Sequence, residues 1–177
     1  MLRGFLGKKP LPFKKYDALV CYCDPSFKAK KKSDYKAIIL IGKTGKYIDV
    51  LKAWVKEATV ASMVNLHYDW YEIYENHARY FMEANFIQDM LLDDFTEVGE
   101  QRNIQMPIRG DKRKKPDKYD RIENMSPLFE RGFIRFNENE KSNPDMQILI
   151  QQLLAFPTGH DDAPDALEGG IYYIQRI

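Results

Sequence analysis

Between Ala18 and Val55 the chain carries three apolar runs in close succession, ALVCYCD (18–24), YKAIILIG (35–42) and YIDVLKAWV (47–55). Each has the length of a strand and is dominated by aliphatic and aromatic residues. Only KTGK separates the second from the third, and a connection that short joins strands running in opposite directions. The three runs together predict an antiparallel meander, and the first of them ends on an acid, Asp24.

The pattern then changes period. Val60, Met63, Val64, Leu66, Trp70, Ile73 and Tyr74 recur at helical spacing and predict a helix from about Thr59 to Glu75, its apolar positions facing a core. RYFMEAN (79–85) reads as a short strand, 86–97 as a helix, IQMPIR (104–109) as a strand, and the stretch to Asn124 as a polar, basic loop. LFERGFIRF (128–136) predicts a helical turn and a strand. PDMQILIQQLLAF (144–156) predicts a helix capped by Asn143 with Pro144 at its first position, and HDDAPDALEGGIYYIQRI a closing helix. The leading order is βββαβαβ, without internal repeat or heptad pattern. At 177 residues, 44% hydrophobic and 30% charged, the chain suits one domain with a true core. That domain is expected over 17–177, with 1–16, rich in Gly, Pro and Lys, as a tail or linker.

The segment AIILIGKT (37–44) has the closing Gly-Lys-Thr of a phosphate-binding loop. It lacks the opening glycine, however, and Ile38, Ile39, Leu40 and Ile41 stand where a flexible loop would curl around phosphate. A hairpin turning at Gly42 and Gly45 accounts for it better. Cys21 and Cys23, two apart on a strand, point the same way and are poorly placed to bond each other, so they read as reduced core residues. His67, His77 and His160 are scattered, which argues against structural zinc. No signal peptide and no membrane-spanning apolar run is recognisable, and an intracellular, soluble setting is expected. The net charge of +1 conceals two basic blocks, Lys28, Lys30, Lys31 and Lys32, and Lys112, Arg113, Lys114, Lys115 and Lys118. Each block fits either a solvated loop or contact with a polyanion.

The acids are the most informative chemistry. Asp24 ends an apolar strand and Glu83 lies inside another, places that exclude charge unless it is paired or bound to metal. Asp161, Asp162 and Asp165 crowd the start of the last helix, where Asp165 shares a face with either neighbour. Helix capping by Asp161 or Asp162 explains the last cluster taken alone. Taken with Asp24 and Glu83, the cluster suits a site for divalent cations, since carboxylate oxygens are the ligands Mg²⁺ and Mn²⁺ prefer.

Four segments in order, CYCDPSFKAKKKSDYKAIILIG, RYFMEANF, KYDRIENMSPLFERGFIRF and HDDAPDALEGG, resemble the C-terminal nuclease domain of the large terminase subunit of tailed bacteriophages, within the RNase H-like superfamily. The resemblance covers nearly the whole chain. It implies an α/β fold with an RNase H-like mixed sheet, three antiparallel strands followed by parallel ones, flanked by helices. It implies a metal-dependent endonuclease that cuts double-stranded DNA during genome packaging, by water attack on phosphorus with two Mg²⁺ or Mn²⁺ ions. Carried over, Asp24, Glu83, Asp162 and Asp165 are the catalytic acids and metal ligands, with Asp161 either a further ligand or an acid supporting them. Lys28, Lys30, Lys112, Arg113, Lys114, Lys118 and Arg121 would contact DNA, although Arg121 equally suits an ion pair with Asp120 or Glu123. The implied partners are double-stranded DNA, the packaging ATPase domain that family members carry and this chain lacks, the portal and the small terminase subunit. The implied setting is the cytoplasm of an infected or lysogenic bacterial host. Two alternatives stay open: another RNase H-like nuclease, such as a junction resolvase or a hybrid-cleaving enzyme, and a non-catalytic docking module of the packaging motor.

Overall fold

The computed structural model describes residues 7–25, 36–84 and 91–177. Lys28, Lys30, Lys31, Lys32 and Asn85 lie outside them. Among the described residues the strands are β1 (Gly7–Lys8), β2 (Ala18–Asp24), β3 (Lys36–Thr44), β4 (Tyr47–Lys56), β5 (Ala78–Glu83), β6 (Arg109–Asp111) and β7 (Ile134–Asn137). They form one sheet in the order β1-β7-β4-β3-β2-β5-β6. The expected meander is present, β2 and β4 each pairing antiparallel with β3. The remaining neighbours are parallel, which makes the sheet mixed.

Gly42, Lys43 and Thr44 are strand residues, and the β3–β4 turn closes at the Thr44–Tyr47 pair with Gly45 in the left-handed region at φ 59°. Strand leads to strand here, so the phosphate-loop reading has no helix to rest on. The two cysteines are free and buried.

Alternation along the strands divides the core in two. Val20, Tyr22, Ile39 and Ile41 face one side, and Leu19, Cys21, Cys23, Ile38 and Leu40 the other. In β4 a bulge opposite Leu40 and Ile41 inserts Leu51. Val55, Ala53, Val50 and Ile48 thereby stay on the first face, while Trp54 and Leu51 stay on the second. Without the extra residue, Val50 and Ile48 would turn away from their own core.

The second face is covered by α1 (Val60–Tyr74) and α2 (Leu92–Arg102), through residues such as Met63, Tyr68, Trp70 and Phe95. Thr59 Oγ1 accepts from the Ser62 N–H at 3.1 Å and starts α1. The first face is covered by α3 (Lys118–Glu123), α4 (Ser126–Glu130), α5 (Pro144–Ala155) and α6 (Asp162–Ile174). As expected, Asn143 caps α5, accepting from the Asp145 and Met146 N–H groups at 2.9 and 3.3 Å.

Helix α6 lies against β2 and β3, and glycine makes that approach possible. A Cβ added at Gly169 would overlap the ring of Tyr22, and one at Gly170 would stand 3.2 Å from Ile41 Cδ1. Gly169→Ala is therefore expected to destabilise the protein by about 1–3 kcal/mol, the usual cost of overpacking, as measured by urea unfolding. An unchanged midpoint would mean that α6 can lift off the sheet freely.

Some local expectations shift. The segment expected as a strand at 104–109 is irregular, with Met106 buried and Ile104 and Ile108 packed on the second core, and pairing waits until Arg109–Asp111. Of the helix expected over 86–97, residues 86–90 lie outside the described residues, and α2 runs on past 97 to Arg102, ended by Asn103 at φ 57°. The basic loop contains α3, which Asp117 caps by accepting from the Tyr119 N–H at 3.1 Å. Part of the stretch expected as a tail is built into the fold: Gly7–Lys8 pair with β7, and buried Tyr16 donates to Asp49 Oδ2 at 2.8 Å.

Candidate active site

Strands β2 and β5 run parallel, and their last registered pair is Cys23 with Met82. Asp24 and Glu83 are the next residue on each strand, so both acids emerge at the carboxyl ends of adjacent strands. On its other side Glu83 pairs in register with Asp111 of β6. Carboxyl ends of parallel strands are where α/β sheets place their ligands.

The start of α6 meets this edge. Asp161 holds the N-cap position, yet its side chain makes no capping bond. The Ala163 N–H instead donates to Gln152 Oε1 at 3.0 Å, which frees the Asp161 carboxylate for another partner. That partner is Lys118, whose Nζ donates to Asp161 Oδ1 at 2.8 Å and stands 3.6 Å from Asp165 Oδ2. Asp165 also accepts from Arg121 Nη1 at 2.7 Å. Burial disfavours the charged ammonium of Lys118, but its hydrogen bond to Asp161 and the charges of Asp165, Asp161 and Asp24 outweigh it and hold its pKa above the usual lysine value. Acids from β2 and from α6 thus act on one ammonium. Asp162, in the first turn of α6, is buried.

Behind this edge lies a layer that the sequence reading missed. Asp111 accepts from Tyr22 Oη at 2.5 Å, Tyr173 Oη at 2.6 Å and the Arg113 N–H at 3.2 Å, with Lys115 Nζ 3.5 Å away. Lys115 also reaches to 3.9 Å from Glu83. Glu168, buried on α6, takes both Arg113 in a two-pronged contact and Arg121 Nη1 at 2.9 Å. Glu168 carried a usable signal, since it follows Asp165 by three residues on the same helix face. Asp111 lay just past the end of the expected strand, and nothing local marked it.

Burial raises the Asp111 pKa, but the hydrogen bonds from Tyr173 and Tyr22 and the Lys115 charge prevail and hold it below the usual value of 3.8. A depressed carboxyl contributes stability above its unfolded pKa and loses it as pH falls through the folded value. Asp111→Asn is therefore expected to cost about 2 kcal/mol at pH 7, as for hydrogen bonds to a charged group. The gap from the parent protein should narrow as pH falls below 3.8. Urea melts at pH 7 and pH 3 measure both, and an equal gap at the two values would refute the linkage.

The basic residues fall into three groups. Arg113, Lys118 and Arg121 are engaged by acids; Lys112 and Lys114 are exposed; Lys28 and Lys30 lie outside the described residues. Arg121 does form an ion pair, with Asp165 and Glu168 in place of the Asp120 or Glu123 considered from sequence.

The donor set at this edge consists of carboxylates, which fits Mg²⁺ or Mn²⁺ in kind. Among the described residues, however, no three Asp, Glu, His or Cys side chains stand close enough to hold an ion together. Lys115, Lys118 and Arg121 neutralise the acids instead.

A family model described as the terminase RNaseH-like domain matches residues 21–173. The large terminase of a thermophilic bacteriophage superposes with a TM-score of 0.58 at 13% identity, over 97% of this chain and 43% of that one. The human cytomegalovirus terminase nuclease domain gives 0.60 at 14% identity, over 88% and 84%. The large terminase nuclease of the thermophilic phage G20c gives 0.63 at 15% identity, over 95% and 92%. Identities this low speak for the fold. The chain spans less than half the length of the first of these, the large terminase. No curated protein matches it by sequence.

Proposed function

We propose, on the premise that the chain belongs to the terminase RNaseH-like domain family, that it is a divalent-metal-dependent endonuclease acting on double-stranded DNA in genome packaging. The observation that carries the reading is that Asp24 and Glu83 end adjacent parallel strands, while Lys118, bonded to Asp161 and 3.6 Å from Asp165, also lies in the field of Asp24. A cytomegalovirus terminase nuclease domain has been soaked with manganese, which supports a divalent ion in this fold.

Asp24, Glu83, Asp162 and Asp165 would hold the metal, with Asp161 at the rim. Two ions bound there would supply the Lewis acidity that activates water and offsets charge on the leaving oxygen. The chain's own contribution is positional. Strand pairing keeps Asp24 beside Glu83, and the buried Arg113–Glu168–Arg121 network fixes the face of α6 that carries Asp165. Arg121, enclosed and paired with Asp165 and Glu168, would orient the Asp165 carboxylate. Exposed Lys112 and Lys114 would track backbone phosphates, giving salt-dependent binding without base readout. The packaging ATPase domain, the portal and the small terminase subunit are the proposed partners, and the cytoplasm of a bacterial host is the proposed setting. Among the described residues no helix is long and apolar enough to cross a membrane.

The test is cleavage of supercoiled plasmid, linear duplex, four-way junction and RNA–DNA hybrid in Mn²⁺, Mg²⁺ or EDTA. Cutting of duplex DNA that EDTA abolishes supports the proposal, while a strong preference for junction or hybrid would move the chain to another branch of the fold. The second reading, a docking module without catalysis, is favoured by one observation: the acids carry basic partners rather than standing ready for an ion. An unchanged melting temperature across Mn²⁺, Mg²⁺ and Ca²⁺ titrations would favour it, because an ion that binds only the folded state must raise stability.

A further inference from the structure

We infer that Lys118 is an exchangeable counter-ion of the acid cluster, which a divalent cation must displace in order to bind. The inference rests on the metal-dependent reading above and adds how metal loading is controlled.

The Lys118 ammonium contacts carboxylate oxygens of Asp161 and Asp165 at 2.8 and 3.6 Å, and Asp24 acts on it electrostatically. A divalent ion would need lone pairs of the same oxygens, and a dication and an ammonium cannot share them without strong repulsion. One must leave. Of the basic residues that pair with acids of the 161–168 segment, Lys118 is the one built to do so. Arg121 is only 7% exposed and is anchored from three sides, by Asp165, by Glu168 and by the Pro116 carbonyl that accepts from its Nε at 3.1 Å. Arg113 is locked on Glu168. Lys118 is 39% exposed, sits at the first position of α3, and has a flexible four-carbon stem that can swing into water while its helix stays in place. Its ion-pair partners are the cluster's own acids, so its release leaves the pairs of Arg113 and Arg121 intact.

The consequence is a threshold. Lys118 offsets the repulsion among the acids, and the same bond subtracts from the affinity of any ion that replaces it. Cation concentration then sets when the nuclease becomes competent, with Lys118 determining the midpoint.

The experiment follows the amine directly on the whole chain. The protein is treated with an acetylating reagent with and without saturating Mn²⁺, labelling of each lysine is read by mass spectrometry, and Mn²⁺ occupancy is followed independently by electron paramagnetic resonance. Mn²⁺ is expected to raise Lys118 labelling several-fold and to leave Lys114, exposed in the same segment, almost unaltered. Lys118→Gln should bind Mn²⁺ about tenfold more tightly than the parent, the factor expected when a resident group holds the site about 90% of the time. Lys118→Arg should bind near the parent value and Lys114→Gln, the control for general charge, should match the parent. Lys118 labelling that does not change while Mn²⁺ is bound, or a Lys118→Gln affinity no tighter than the parent's, overturns the exchange and leaves the metal site standing. Absence of Mn²⁺ binding to both proteins overturns the metal reading and the exchange with it. The labelling arm uses the parent protein alone, so it holds even if a variant fails to fold.

Discussion

Asp24→Ala is expected to remove Mn²⁺-dependent plasmid cleavage, a fall on the order of 10³-fold of the kind seen when one preorganised transition-state group is lost. The fold should survive. Asp24 is the last residue of β2 and lies at its carboxyl end, while the buried cores on both faces are made by the residues before it. Removing its charge relieves repulsion from neighbouring acids and also loses its attraction to Lys118, so the melting temperature should stay within a few degrees of the parent's. Asp24→Asn, which keeps the shape and loses the charge, should be equally inactive. Undiminished cutting by either variant, with circular dichroism unchanged, would remove Asp24 from the site and with it the proposed mechanism.

Glu168→Ala should have the largest effect on stability. Glu168 is 8% exposed and is the shared counter-ion of Arg113 and Arg121, themselves almost fully enclosed. Its removal leaves Arg121 on Asp165 and Arg113 with only the Asp111 carboxylate at 3.4 Å, and breaking such a buried network from one side costs about 3–5 kcal/mol. For a chain of this size that corresponds to a fall in melting temperature of about 10 °C. Glu168→Gln, which still accepts hydrogen bonds, should recover part of the loss. A melting temperature within 2–3 °C, roughly the shift for one kcal/mol, would mean that water reaches both guanidiniums and that the network does not hold α6 to the 113–121 segment.

Glu168 also marks where sequence reasoning reached its limit. The strands of the meander were legible because their apolar runs are long and KTGK leaves no room for a crossover. Helix α5 was legible because Asn143 and Pro144 mark its start locally. The β4 bulge was not: YIDVLKAWV reads as an unbroken strand, and only pairing with Leu40 and Ile41 shows that Leu51 is an inserted residue. Strand β6 was misplaced because Ile104, Met106 and Ile108 show strand-like alternation while packing as an irregular segment. Their alternation records burial, which an extended strand and an irregular stretch on the same core can share.

The same division runs through the site. Asp24, Glu83 and the α6 acids stood out in the linear chain because a charge at the end of an apolar strand, or a crowd of like charges at a helix start, conflicts with its local surroundings. What neutralises them is non-local. The basic segment 112–121 reads in sequence as a solvated stretch or a polyanion contact, and the fold turns Arg113, Lys115, Lys118 and Arg121 onto carboxylates, at sequence separations of up to 55 residues. Local chemistry marked Asp24, Glu83 and the α6 acids as charges at odds with their neighbours, but it passed over the more deeply buried Asp111. Which charges meet depends on how strands β2, β5 and β6 and helices α3 and α6 come together, and only the tertiary structure decides that.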